Sequence, residues 1–102
     1  AIKEIEYLSI HDELTGAFNR RHFENTIREI DNEAFYPLGI VSIDLNGLKL
    51  INDAFGHIQG DKIIIDFANF LKTIYKDSTC IARIGGDEFV VISEIISQKT
   101  QT

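Results

Sequence analysis

The sequence predicts an α/β domain, an α+β sandwich in which helices pack on a mainly antiparallel sheet. Three observations carry that expectation. Short runs of mostly apolar, β-branched residues occur at Leu38 to Asp44, Cys80 to Ile84 and Phe89 to Ser93, with the length and composition of buried strands. The last two flank Gly85-Gly86-Asp87-Glu88, and paired glycines between such runs signal a hairpin because they tolerate positive φ. Between the first run and the hairpin, Ile64, Ala68, Leu71 and Tyr75 recur at helical spacing, joined by Phe67 and Ile74. An apolar stripe that wide belongs to a helix covering a sheet.

Each element follows in turn. Ile2, Ile5 and Leu8, with Lys3, Glu4 and Glu6 between them, read as the tail of an amphipathic helix. Residues 1–10 are therefore expected to form a helix, either packed on its own domain or connecting it to an upstream regulatory or sensor domain. Residues 11–93 form the domain body and 94–102 a polar tail. The stretch from Asp12 to Arg20 is rich in turn formers, and Asn19 is placed to cap a helix opening at Arg20, whose buried stripe is Phe23, Ile27 and Ile30. Asp12, Thr15, Asn19 and Arg20 are read as organising this turn. Pro37 closes the region and Asp44 ends the first strand. Asn46-Gly47 makes a turn, Leu48 to Phe55 a short helix, and Gly56 suits the left-handed residue that stops it. Gly60 and Asp61 open the long helix, which runs to Lys76. The result is a small sheet whose exposed edge hints at further C-terminal elements.

At 102 residues the chain is a single domain. Its 44% hydrophobic content, with seven Phe and three Tyr, supports a packed core. A formal charge of −6 disfavours DNA or RNA, because gripping a polyanion needs clustered Lys and Arg. A single nucleotide is different, since a bound metal brings the missing positive charge. Cys80 is the one cysteine, which excludes an internal disulfide and a cysteine zinc site and suits a reducing, cytoplasmic compartment. The apolar runs are too short to span a bilayer and no signal peptide precedes them, so no direct membrane contact is expected.

The chemistry concentrates at strand ends. Asp44 closes one strand, and Asp87 and Glu88 sit at the tip of the hairpin among glycines. Crowded carboxylates repel unless a cation lies between them, and hard ions such as Mg2+ choose oxygen ligands together with substrate phosphates. Gly85 and Gly86 add backbone that phosphate oxygens can approach without a Cβ in the way. Any one of these pieces alone is an ordinary turn or strand end. Their combination points to a metal–nucleotide site.

Taken together, Arg83-Ile84-Gly85-Gly86-Asp87-Glu88-Phe89, the block from Asp44 through Asn52 and Gly56-His57 to Gly60-Asp61, and Asp12-Glu13-Leu14-Thr15-Gly16 with Asn19-Arg20 resemble the GGDEF family of diguanylate cyclases. The likeness runs from about Leu8 to Ser93. It implies a palm-like nucleotide cyclase fold and an enzyme that condenses two GTP into cyclic di-GMP with release of pyrophosphate. Each domain holds one GTP, so it also implies a homodimer for catalysis. By the resemblance, Asp44, the Leu45 carbonyl and Asp87 ligate Mg2+, or Mn2+, and Asp87 and Glu88 are the catalytic acids, Glu88 acting on the 3′-hydroxyl. Gly85 and Gly86 admit the nucleotide, Lys49 and the backbone at Gly47 and Leu48 meet phosphates, and Asn52 with Asp61 reads guanine. Adenine lacks the donors that would satisfy Asp61, at a cost of roughly 1–3 kcal/mol. The plainer roles are a surface lysine for Lys49, a helix N-cap for Asp61, a satisfied turn amide for Asn52, and packing or a loop hydrogen bond for His57. His11 and His22 have no partners visible in sequence.

The chain departs from the family at several positions. Lys76 and Thr79 stand where an Arg and an Asp would form the inhibitory product site, so product inhibition there is expected to be absent. Asn46 and Leu48 replace the more usual Asp and Phe. The family's further strands, a helix and a Lys and Arg beyond Ser93 have no counterpart, so this chain alone is expected to be weakly active or inactive. A catalytically silent module that binds GTP or a protein partner is the alternative, and a related palm-like cyclase or polymerase a weaker one.

Overall fold

The structure is a computed structural model and describes residues 7, 9–32 and 38–94. Its elements are β1 (Phe18–Asn19), α1 (Arg20–Asn32), β2 (Leu38–Asp44), α2 (Leu48–Phe55), α3 (His57–Ile74), β3 (Cys80–Arg83) and β4 (Glu88–Glu94). The strands form one sheet in the order β1-β3-β4-β2. β1 runs parallel to β3, and the β3–β4 and β2–β4 pairings are antiparallel. The fold class is thus the expected one, with helices on a mostly antiparallel sheet.

Both faces of the sheet are covered, and the period-two alternation of the strands divides the core accordingly. On one face Ile81, Phe89 and Val91 pack with Leu48 of α2 and Ile64, Ala68 and Leu71 of α3, with Phe67 set edge-on to Phe89 at 5.4 Å between ring centroids. On the other, Cys80, Ala82 and Ile92 meet Phe23, Ile27 and Ile30 of α1. Double coverage explains why β3 and β4 read as continuous apolar runs rather than alternating ones. β1 and β2 are the edge strands, and Ile40 of β2 is 56% exposed.

Four expectations need correction. α3 opens at His57, not at Gly60-Asp61, because Gly56 at φ 92° both ends α2 and starts α3, so the two helices meet at an elbow one residue wide. α3 ends at Ile74, short of Lys76, and Ile74 itself is exposed rather than part of the buried stripe. The short β1 adds a fourth strand, legible only through its partner β3. Finally, the positive-φ glycines among the described residues are Gly16, Gly47 and Gly56, so Gly85 and Gly86 turn the hairpin without left-handed backbone. Of the expected N-terminal helix, Tyr7, Ser9 and Ile10 are described and helical. Ile2, Ile5, Leu8, Pro37 and the tail beyond Glu94 lie outside the described residues.

The turn before α1 is built as its residue types suggest. Asp12 accepts from the Thr15 N–H at 2.9 Å and its hydroxyl at 2.8 Å. Asn19 caps α1 by accepting from the His22 N–H at 2.9 Å. The two histidines unplaced by sequence join a ladder of stacked rings, Tyr7–His11–Phe18–His22, with centroids 3.7, 4.8 and 4.1 Å apart.

Cys80 is 2% exposed, and burial pushes its thiol up from an ordinary 9.0 to about 11. It should resist iodoacetamide at pH 8 in the folded chain and react fast once denatured, as followed by mass spectrometry. The sign of the pH effect follows: this thiol's contribution to stability is complete below pH 9.0 and is lost as pH rises toward 11, because the unfolded chain then releases the proton first.

Candidate functional site

The antiparallel ladder between β2 and β4 brings two of the candidate acids together. It pairs Leu38 with Glu94 at one end and Asp44 with Glu88 at the other. Directly opposed residues project to the same face, so Asp44 and Glu88 are the acids the register sets side by side. One step further the Leu45 N–H donates to the Asp87 carbonyl at 2.8 Å, which locks the chain after β2 to the tip of the hairpin. Asp44 and Asp87 are therefore not cross-strand partners, and Asp87 belongs to the exposed tip. Among the described residues no three His, Cys, Asp or Glu side chains form a preassembled metal cluster. A hard cation here would need phosphate or water oxygens to complete its shell, which is how Mg2+ usually binds.

The hairpin glycines divide their roles. The N–H groups of Ile84 and Gly85 both donate to the Glu88 carbonyl, at 2.9 and 3.4 Å. Gly86 has no such bond, and a Cβ there would meet nothing within 4 Å, so it presents bare, open backbone. Arg83 braces this tip. Its guanidinium donates to the Gly86 carbonyl at 2.9 and 3.2 Å and pairs with Asp12 at 3.2 Å, both side chains being less than a fifth exposed. The opening turn and the signature hairpin, 71 residues apart, are thereby tied together.

Opposite the hairpin stands the α2–α3 elbow. Gly47, at φ 86°, starts α2 with no side-chain cap, leaving the first-turn N–H groups of the helix unanswered. Between elbow and hairpin lies an open cleft of about 490 Å3, and Leu48, Lys49, Asn52, Asp61, Gly86 and Asp87 all line it. Six of the residues singled out by sequence thus share one cavity. Gly85, Asp44, Leu45 and Glu88 are not among its lining residues; Asp44 and Glu88 pair at the end of the β2–β4 ladder, and Leu45 and Gly85 lie beyond it. Asp53, His57 and Arg83 line the cleft too, though the sequence suggested no role there for them. Only Arg83 carried a usable signal, as a basic residue directly before an acidic hairpin.

The plainer roles expected of Asn52 and Asp61 do not hold. Asp61 lies inside α3, four residues past its start, and is not an N-cap. Asn52 lies in α2, and its Oδ1 is buried without a hydrogen-bond partner, a condition that ordinarily costs about 1–3 kcal/mol. Lys49 is exposed at the cleft. Lys76 and Thr79 sit elsewhere, in a smaller hollow of about 240 Å3 shared with Gly16 and Lys72, whose Nζ donates to the Thr15 carbonyl at 3.1 Å.

A sequence model of the family described as "Diguanylate cyclase, GGDEF domain" matches residues 9–102. The chain belongs to the GGDEF family. It is 43% identical over 88 residues to the diguanylate cyclase DgcP of Escherichia coli (strain K12), covering 83% of this chain and 26% of that protein. With the signaling protein YkoW of Bacillus subtilis (strain 168) it shares 38% identity over 95 residues, covering 90% of this chain and 12% of the relative. Among solved structures, the GGDEF domain of DgcB from Caulobacter crescentus in complex with c-di-GMP superposes with a TM-score of 0.80 at 27% identity, covering 90% of this chain and 57% of that one. The GGDEF chain thus spans about a quarter or less of these curated relatives and under two thirds of that solved domain.

The Arg83–Asp12 tie is open to test. Replacing Arg83 with Ala should cost about 1.5–3 kcal/mol of stability, the usual worth of charge-assisted hydrogen bonds in part-buried surroundings. Asp12→Ala in the same background should cost much less than it does alone, since the shared interaction is already gone. Urea denaturation of the two single variants and the double variant measures that coupling.

Proposed function

We propose that this chain provides the metal and guanine half of a diguanylate cyclase GTP site, two copies of which condense two GTP into cyclic di-GMP with loss of two pyrophosphates. The observation that carries the reading is the shared cleft. The hairpin wall offers Gly86, and the elbow wall offers Lys49 and the uncapped start of α2 for phosphate together with the Asn52–Asp61 pair for the base. A guanine nucleotide needs both ends at once.

Within this reading Asp61 accepts from the guanine N1–H and N2 amine, while Asn52 turns its amide to the purine edge. Lys49 and the backbone at Gly47 and Leu48 hold phosphate oxygens, and Gly86 lets them approach the hairpin. The residues that would hold Mg2+ or Mn2+ are Asp44, the Leu45 carbonyl and Asp87, all oxygen donors, with Glu88 beside Asp44 by register. Their donor set suits a hard cation. When bound, that ion would neutralise charge developing on the transferred phosphate. Asp87 and Glu88 are the acids poised to orient or deprotonate the 3′-hydroxyl that attacks the α-phosphate of the facing nucleotide. One cleft holds one GTP, so a second copy must face it, and pairing turns the attack into an effectively intramolecular event.

A second reading has its own support. The absence of a preassembled three-acid group among the described residues also suits a module that binds GTP or a protein partner without turnover. DgcP is named a diguanylate cyclase, and the diguanylate cyclase SiaD from Pseudomonas aeruginosa was solved with its activator SiaC. Incubating the chain with GTP and Mg2+, alongside a longer form extended past Thr102, separates the two. Cyclic di-GMP from the longer form, lost on Asp87→Asn, supports the cyclase. GTP binding by both forms with no product from either supports the silent module. In either case Asp61→Asn should weaken GTP binding about tenfold or more and narrow the preference over ATP, as measured by calorimetric titration.

A further inference from the structure

Gly60 occupies the interior of α3, where alanine is the better helix former. It is not one of the positive-φ glycines, so no unusual backbone explains it. Space does. A Cβ on Gly60 would lie 1.7 Å from Asn52 Oδ1, 2.8 Å from its Cγ and 3.4 Å from its Nδ2. The three nearest atoms all belong to that one amide. Asn52 Oδ1 is sealed against this buried glycine with no hydrogen bond to fix it, while Nδ2 is not sealed off and Asn52 lines the cleft. Shape, not hydrogen bonding, sets how the amide points.

We propose that Gly60 is a positioning residue for base recognition: its missing side chain is the seat that turns the Asn52 amide toward the nucleotide. This deepens, and rests on, the assignment of guanine to Asn52 and Asp61. The seat and the second base-reading residue are consecutive, so one turn of α3 places both. Asn52 reaches the seat from α2 across the Gly56 elbow, and the Gly60 N–H donates to the Gly56 carbonyl at 3.3 Å. A methyl group at Gly60 would expel the amide by rotation of a short side chain, leaving the helix intact and the base unread.

The test titrates the 102-residue chain with GTP and Mg2+, and with inorganic tripolyphosphate and Mg2+ as a probe that has no base. Gly60→Ala and Asn52→Ala should each weaken GTP binding by about tenfold and leave tripolyphosphate binding unchanged. The double variant should bind GTP no worse than Asn52→Ala alone, because the seat has no occupant left to hold. If Asn52→Ala weakens GTP binding and Gly60→Ala does not, the seat is wrong while the guanine assignment stands. If Asn52→Ala has no effect, or the unsubstituted chain does not bind GTP, the guanine assignment falls and the seat with it. Equal loss of GTP and tripolyphosphate in Gly60→Ala overturns the proposal in favour of a purely structural role. Should Gly60→Ala lose its cooperative thermal transition, the double variant decides: a restored transition supports the steric pairing, and none overturns it.

Discussion

Register between β2 and β4 decides where Asp44 and Glu88 sit. Asp44 meets Glu88 only because Leu38 meets Glu94 at the far end of the same ladder. A slip of one residue would turn each side chain to the other face of the sheet. It would carry Phe89 and Val91 out of the core they share with α3. Packing and chemistry therefore depend on one alignment, and the hydrophobic effect that buries Phe89 also fixes Asp44 opposite Glu88. The Leu45 N–H to Asp87 bond extends that alignment past the strand into the loop.

The opposite wall is positioned by a different device. Gly56 joins α2 to α3 with no intervening loop, so the two helices form a bent pair rather than independent elements. Leu48 buries the start of α2, and Ile64 and Ala68 bury the face of α3, which holds the elbow against the sheet and its polar inner side toward the hairpin. Arg83 completes the frame by anchoring the hairpin tip to the opening turn. The cleft residues themselves make few bonds to one another. Their geometry is borrowed from the core, as expected of a site that must leave its polar groups free for a ligand.

Much of this was legible in sequence because local signals agreed with tertiary ones. The β2, β3 and β4 runs, the Asn19 cap and the α1 stripe each follow from residue type and spacing. What escaped was set by long-range contact. β1 is two residues long and exists only as a partner of β3. The early start of α3 was hidden because Gly60-Asp61 looks like a helix opening, whereas Gly60 is there to receive Asn52. The aromatic ladder through His11 and His22 and the Arg83–Asp12 pair join residues that no periodicity links. Paired glycines imply the positive φ that tight turns favour, but a longer tip closed onto Glu88 does not require it. For the site, the motif blocks located six cleft residues, while the register, not the motif, showed that Asp44 faces Glu88.

Whether elbow and hairpin enclose one guanine nucleotide is read directly by amide chemical-shift mapping with GTP and Mg2+. With one enclosed nucleotide, shifts at Lys49, Asn52, Asp61, Gly86 and Asp87 saturate together, with Gly16, Lys72, Lys76 and Thr79 unmoved. Saturable shifts confined to the second group, or split between the two hollows with different affinities, would contradict that enclosure.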